Sequence, residues 1–255
     1  MSCTPEREKL TIIVSELSKR ESSVSTNDRV CNNAGERKVT LVMLSVFGKS
    51  CESSNNLMLD IGANMGYYGL LATKSGCEAL FFDLQNGCQK FCNNAIVLNG
   101  FQNSARVVPF GVESIETIIR IDDGGFICDG RFPVSAREKR STGGRPKVEV
   151  SIAPLSKFVD SKQRIAMMKI DTEGNENRVL QGGLSFFRDK LVDNAIVEIT
   201  PRVPSFWKGA GTTLDEVVET FRTIASFGYT MVSLFDWRIL ETEGDVAEYI
   251  RNSAK

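Results

Sequence analysis

The chain has 255 residues, 42% hydrophobic and 25% charged, and its 31 basic and 32 acidic side chains leave a net charge of −1. This balance gives no reason to expect nucleic acid or a membrane as a partner. The chain contains no histidine, which excludes Ser-His-Asp and Cys-His hydrolases and histidine-ligated zinc and iron enzymes. Any general base must therefore be Asp, Glu, Lys, Tyr or a thiolate.

Residues 1–56 form a polar lead-in, which we expect to pack on or flank the core as an N-terminal extension. It contains a candidate helix, Lys9–Lys19, and an apolar run, Val39–Phe47. The lead-in lacks the pattern of a secretory signal, and no apolar run reaches the ~18–20 residues that span a bilayer. Seven cysteines, an odd number, favour reduced thiols, with Cys88 and Cys92 as packing residues. These features predict a cytoplasmic protein.

Residues 57–255 alternate short β-rich runs with amphipathic, helix-length stretches. The strand candidates, most of them continuously apolar, are Leu57–Ile61, Ala79–Asp83, Ala105–Phe110, Met167–Asp171, Ala195–Ile199 and Thr230–Leu234. The helix candidates are Tyr67–Ser75, Gly87–Asn99, Arg178–Leu191 and Leu214–Phe227. For the last of these, Thr213 followed by Glu216 is a typical helix start. The alternation predicts an α/β fold with a doubly wound, mostly parallel sheet.

Residues 115–151 interrupt this alternation. Two β-like pieces, Thr117–Ile121 and Lys147–Ile152, are joined by a connection rich in glycine and arginine. The pattern predicts a β-hairpin inserted after the third strand, with a mobile tip. The connection is either a solvated loop or a lid over an anionic substrate. Its basic residues are Arg137, Lys139, Arg140, Arg145 and Lys147.

A glycine turn follows the first candidate strand, in the run Leu59-Asp60-Ile61-Gly62-Ala63-Asn64-Met65-Gly66. Gly62 and Gly66 permit a tight turn and the close approach of a ligand. Their spacing differs from the G-x-G-x-x-G of dinucleotide sites. The carboxylate of Asp60 suits a cationic ligand such as S-adenosylmethionine, which carries an ammonium and a sulfonium. The alternative is a purely structural strand–helix turn.

A second acid, Asp83, ends the next candidate strand. It follows Asp60 at about the 20-residue offset at which an acid contacts ribose hydroxyls in nucleotide-binding folds. The alternative role for Asp83 is the N-cap of the following helix. Together with Glu113, which follows the third strand, the predicted cofactor-binding residues are Asp60, Gly62, Ala63, Asn64, Gly66, Asp83 and Glu113.

A second motif reads Met167-Met168-Lys169-Ile170-Asp171-Thr172-Glu173-Gly174. Taken with the glycine turn and with Val197-Glu198-Ile199, it resembles the FkbM family of methyltransferases over roughly Leu57 to Leu234. The resemblance implies a class I methyltransferase fold with S-adenosylmethionine as cofactor, and known members are mostly O-methyltransferases of sugars and natural products. The chain departs from the family pattern at two places. The usual Glu-Pro after the second strand is Asp83-Leu84 here, and the usual Leu-Asp after the hairpin is Leu155-Ser156.

The predicted catalytic residues are three acids near strand ends, Asp171, Glu173 and Glu198. Ligands of open α/β sheets bind beyond the carboxyl ends of the strands. A hydroxyl acceptor, expected on a small molecule such as a sugar, needs a base, for which Asp171 is the first candidate and Glu173 the next. Alternatively, Asp171 and Glu173 only hold the loop, or the three acids bind a divalent cation. A non-catalytic domain that keeps the fold is the rival function.

Overall fold

The computed structural model describes residues 11–15, 34–51, 56–122, 128, 147–199, 211–234 and 236–253. Its elements are, in chain order, β1 (Thr11–Ser15), α1 (Ala34–Ser50), β2 (Leu57–Ile61), α2 (Tyr67–Lys74), β3 (Glu78–Phe82), α3 (Asn86–Leu98), β4 (Ala105–Val108), β5 (Gly111–Val112), β6 (Thr117–Asp122), β7 (Lys147–Ala153), β8 (Ile165–Ile170), α4 (Glu176–Gly182), α5 (Leu184–Arg188), β9 (Asn194–Glu198), α6 (Leu214–Ser226), β10 (Thr230–Ser233), β11 (Ile239–Leu240) and α7 (Glu243–Ser253).

The central sheet has the strand order β11-β10-β1-β9-β8-β2-β3-β4. All neighbouring strands are parallel except β10 and β11, which are antiparallel. Every residue of β2 and β8 is buried, as expected for parallel strands covered on both faces. The predicted α/β fold with a mostly parallel sheet is confirmed.

Helices cover both faces of this sheet, because successive strand side chains point to opposite faces. In β2, Leu57, Leu59 and Ile61 join one core cluster and Met58 joins the other. The first cluster includes buried side chains of α4, α5, α6 and α7. The second includes those of α1, α2 and α3. The sheet is therefore doubly wound, and the site lies where the strands of its central part end.

The N-terminal residues differ from the prediction. The predicted helix Lys9–Lys19 is wrong at Thr11–Ser15, which form a parallel strand between β9 and β10. These β-branched residues favour a strand, but the partners lie far along the chain, so a local pattern could not reveal the pairing. In α1, Val39, Met43 and Phe47 are buried against the sheet. The lead-in therefore contributes both a strand and a covering helix to the domain.

The inserted hairpin is confirmed. Strands β6 and β7 pair in antiparallel register from Thr117 opposite Ile152 to Asp122 opposite Lys147, and β5 adds a parallel strand. Residues 123–127 and 129–146, which contain most of the predicted mobile tip and the basic residues Arg137 to Arg145, lie outside the described residues. The predicted single helix Arg178–Leu191 is two helices, α4 and α5, separated at Gly183.

The expectation of reduced thiols is wrong for four cysteines. Disulfides join Cys51 to Cys77 and Cys88 to Cys128. Residue counting could not find these pairs, since each joins elements that only the tertiary structure brings together. Cys92 is free and buried, as predicted for a packing residue. Among the described residues, no helix has the length and apolarity needed to cross a membrane.

Candidate active site

A cleft of about 900 Å³, including solvent at its mouth, lies beyond the carboxyl ends of β2, β3 and β8. The position is where ligands bind in open α/β sheets. Its walls come from the loops after these strands, from the segment after β4 and from the hairpin. The lining residues central to the site are Gly62, Asn64, Asp83, Leu84, Phe110, Glu113, Ile119, Ile152, Asp171 and Glu173.

The glycine turn after β2 is set by backbone contacts. The N–H groups of Gly62 and Ala63 both donate to the carbonyl oxygen of Phe82, each at 2.9 Å. Gly62 has a φ of 80°, and a Cβ atom there would overlap the carbonyl oxygen of Asp171. Gly62 is therefore required for two loops of the cleft to touch.

Asp83 ties the glycine turn to the start of α3. One carboxyl oxygen accepts from the N–H of Asn64 at 2.9 Å and the other from the N–H of Gln85 at 2.8 Å. The N-cap position of α3 belongs to Gln85, so Asp83 is not its N-cap. Burial raises the pKa of Asp83, although the backbone N–H donors oppose the shift.

Asp171, which lines the cleft, contacts the charged side chain of Lys169 and interacts with Glu198. The Lys169 ammonium donates to Asp171 Oδ2 at 2.8 Å. Burial would lower the pKa of Lys169, but the carboxylates of Asp171 and Asp60 outweigh it and raise that pKa. Burial and the Asp171 charge hold the pKa of Glu198 well above its ordinary value, and Glu198 shares a side-chain hydrogen bond with Asp171. These side chains can therefore hold both an ammonium and a protonated carboxyl.

Glu176 holds the loop between β8 and α4. Its Oε1 accepts from the Thr172 N–H at 2.8 Å, the Gly174 N–H at 3.0 Å and the Thr172 hydroxyl at 3.1 Å. Glu173, within this loop, has a φ of 53° and lines the cleft. Glu176 therefore holds this loop, a role for which the sequence had offered only Asp171 and Glu173.

The motifs that form this cleft match a known protein family. The model of the methyltransferase FkbM domain matches residues 60–231, which is more than half of the chain. The chain belongs to the FkbM methyltransferase family.

Similarity to solved structures is distant. The crystal structure of methyltransferase FkbM from Methylobacillus flagellatus KT is 17% identical, with a TM-score of 0.36, over 53% of this chain and 31% of that one. The chain thus spans about a third of that protein. The structure of a geranyl diphosphate methyltransferase in complex with SAM is 10% identical, with a TM-score of 0.26, over 86% of this chain and 83% of that one. No curated protein matches the sequence.

In this FkbM domain, the predicted cofactor-binding residues divide into two groups. Four line the cleft: Gly62, Asn64, Asp83 and Glu113. The other three, Asp60, Ala63 and Gly66, are buried and do not line the cleft. Ala63 packs in the core, and Gly66, with a φ of 74°, is the N-cap of α2.

Asp60 is fully buried beneath the turn. One of its oxygens accepts from the Gly69 N–H at 2.8 Å, where a carboxylate interacts favourably with the first turn of α2. Its other oxygen, Oδ1, has no hydrogen-bond partner among the described residues. Burial raises the pKa of Asp60 to about 6, against the opposing charge of Lys169. Asp60 thus supports the turn from below and is not among the residues that line the cleft.

The predicted catalytic acids also separate. Asp171 and Glu173 line the cleft, whereas Glu198 does not. Among the described residues, no group of three or more acids or cysteines is arranged to hold a metal ion, so the divalent-cation alternative finds no support there.

Two residues of this site were not predicted from the sequence. They are Glu176, described above, and Arg178, whose Nη1 donates to Glu113 Oε1 at 2.7 Å. The signal for Glu176 was present in the sequence, as an acid at the start of a helix shortly after a glycine. No local signal pointed to Arg178, because Glu113 lies in a distant loop.

Proposed function

We propose that this FkbM methyltransferase uses S-adenosylmethionine and methylates a hydroxyl group of a sugar or another small molecule. The observation that carries the proposal is the position of Asp171. Its carboxyl group, ion-paired to Lys169 at 2.8 Å, lines the same cleft as the glycine turn. One cavity therefore offers a cofactor surface and a candidate base.

The charge of the cleft fits a cationic cofactor. Four acids line it, Asp83, Glu113, Asp171 and Glu173, and none of its lining residues within the described parts is lysine or arginine. Such a lining suits an ammonium and a sulfonium, and it disfavours the pyrophosphate of a nicotinamide cofactor. When bound, S-adenosylmethionine would supply an electrophilic methyl group.

The residues that would hold this cofactor are those of the turn and of the two following loops. Asp83 is the candidate for the ribose hydroxyls, and Asn64 and the Gly62 backbone for the amino-acid end. The walls formed by Leu84 and Phe110 are apolar, as a purine ring requires. All five residues line the cleft in the loops as they stand.

The acceptor oxygen needs a base because a neutral hydroxyl is a poor nucleophile. Asp171 is half-buried, with 28% of its side chain exposed, so it can both reach a substrate and remain fixed by Lys169. The aliphatic side chains of Ile119 and Ile152 help to exclude water from the reacting groups.

Calorimetric titration with S-adenosylmethionine, S-adenosylhomocysteine and NAD tests the cofactor. We expect heat from the first two ligands and none from NAD. The reverse pattern would favour an oxidoreductase, and absence of heat from all three would remove the proposed function.

A screen of sugars and polyols with a radiolabelled methyl donor then identifies the acceptor. With that acceptor, Asp171→Asn should lower turnover ~10²–10⁴-fold, the usual range for a general base, because an amide cannot take the proton. The dissociation constant of S-adenosylhomocysteine should stay within a few-fold. Glu219→Gln, which changes an exposed acid on α6, is the control and should leave both values unchanged. Equal turnover by wild type and Asp171→Asn would remove Asp171 as the base, and cofactor binding without any methyl transfer would favour the non-catalytic alternative.

A further inference from the structure

Four ionisable side chains lie on one face of the central sheet, beneath the cleft. Lys169 of β8 stands opposite Asp60 of β2 and Ile196 of β9 in the parallel register. Residues two apart on a strand share a face, so Asp171 and Glu198 follow Lys169 and Ile196 on the side that α1, α2 and α3 cover. The sheet itself therefore assembles this group.

The group contains one cation and three acids. The Lys169 ammonium lies 2.8 Å from Asp171 Oδ2 and 5.1 Å from the centre of the Tyr68 ring. Asp60 and Glu198 also act on it electrostatically. One ammonium cannot compensate the charges of three carboxylates that are fully or partly buried, so protonation of an acid is the less costly arrangement.

Glu198 is the candidate for that proton. It does not line the cleft, and burial, the Asp171 charge and the Glu176 charge all raise the pKa of Glu198, while Lys169 opposes them. A protonated carboxyl can donate, and the hydrogen bond between Glu198 and Asp171 gives that proton an acceptor. Asp171 is the member of the pair that also lines the cleft.

We propose that Lys169 and Glu198 are positioning residues for Asp171, each donating a hydrogen bond to its carboxylate from beneath the cleft. This inference rests on the proposed function, in which Asp171 is the base. With S-adenosylmethionine bound, the acceptor hydroxyl would lose its proton to Asp171 as its oxygen takes the methyl group, and the cofactor would supply that methyl group and keep the bonding electron pair on sulfur. Asp171 later returns that proton to water. Glu198 keeps its own proton throughout, so the proton count balances.

A carboxyl ¹³C NMR titration tests the arrangement without cofactor or acceptor. In the wild-type protein, the pKa of Glu198 should lie above its ordinary value. Asp171→Asn removes a neighbouring charge and should lower the pKa of Glu198, whereas Lys169→Met removes a cation and should raise it. Lys169→Arg keeps the charge and is the matched control if Lys169→Met fails to fold. A Glu198 that titrates in the ordinary range, or does not respond to Asp171→Asn, would overturn the proposal.

Two variants of Glu198 separate positioning from a merely structural role. Glutamine keeps a donor, so Glu198→Gln should retain turnover within about threefold, whereas Glu198→Ala should lose roughly 10–100-fold through the missing charge-assisted hydrogen bond. If Glu198 were instead an anion paired with Lys169, both variants would be equally impaired. Binding of S-adenosylhomocysteine should remain in both, so failure of this inference is distinguishable from failure of the proposed function.

Discussion

The individual residues of the cleft are fixed mainly by their neighbours' backbone atoms. Gly62 lies against the carbonyl group of Asp171, and Asp83 accepts two backbone N–H groups. The carboxyl group of Asp60 is fully buried. Among the described residues, only one of its two oxygens, Oδ2, accepts a hydrogen bond. Substitutions at these positions should therefore affect stability as well as binding.

Gly62→Ala should lower the free energy of unfolding by about 2–4 kcal/mol, the combined cost of a positive φ and of an overlapping Cβ. Chemical denaturation measures the loss. Gly100→Ala is the matched control, because Gly100 has a φ of 72° but open space around its Cβ position. It should cost about 1 kcal/mol, for φ alone. Equal losses in the two variants would contradict the contact with Asp171.

Asp60 should make stability depend on pH. Its pKa rises from 3.8 to about 6 on folding because of burial, so the folded state binds more protons between these values. Stability should therefore fall as pH rises from 3.8 to about 6, by up to roughly 3 kcal/mol relative to Asp60→Asn. Urea unfolding of both proteins across and beyond this pH range measures the difference. Parallel pH profiles would show that Asp60 titrates normally.

At the scale of elements, the loop between β8 and α4 and the start of α6 are held by similar devices. Glu176 accepts three hydrogen bonds from the loop before its helix. At α6, Thr213 and Glu216 form a capping box at the helix start that the sequence predicted. The first device borders the cleft, whereas Thr213 and Glu216 do not line it, so their effects on binding should differ.

Glu176→Ala should lower stability by about 2–4 kcal/mol, since it leaves several donors without an acceptor. It should also weaken S-adenosylhomocysteine binding, because Asp171 and Glu173 lie in the same loop. Thr213→Ala should cost about 1 kcal/mol, the usual value for a lost N-cap, and leave binding unchanged. Denaturation and calorimetry measure both quantities. Unchanged binding in Glu176→Ala would mean that the loop does not contribute to the ligand site.

At the scale of the whole molecule, two disulfides join distant parts of the chain. One connects the residue after α1 to the residue before β3, and the other connects α3 to residue 128. Cys128 Sγ lies 2.8 Å from Asn64 Oδ1, so the second disulfide reaches the cleft. Disulfides persist in oxidising compartments. The expectation of a cytoplasmic protein therefore loses the support that the cysteine count gave it.

Alkylation before and after reduction should reveal at least four additional thiols, counted by mass spectrometry. Removing the Cys51–Cys77 bridge by double substitution to alanine should lower the free energy of unfolding by about 3 kcal/mol, because a loop of this length gains entropy in the unfolded chain. Cys92→Ala, at the free cysteine, is the control and should leave the number of thiols released by reduction unchanged. Identical alkylation before and after reduction would restore the prediction of free thiols.

The sequence by itself determined the elements that depend on local patterns. The apolar runs predicted the parallel sheet, and strand β2 was predicted with its observed bounds. The spacing of Thr213 and Glu216 likewise predicted the start of α6. Asp83 and Asp171 were predicted to end their strands; they directly follow them, and both line the cleft. The physical reason is that strand polarity alone decides which edge of a parallel sheet carries these residues.

Only the tertiary structure decided the features that join distant segments. The insertion of β1 between β9 and β10, the two disulfides and the pairing of Glu113 with Arg178 all connect residues far apart in the chain. The tertiary structure also decided the position of Glu198, which the sequence placed in the cleft but which does not line it. A local pattern records which face of a strand a residue occupies, but the depth of that residue depends on what the rest of the chain packs against it.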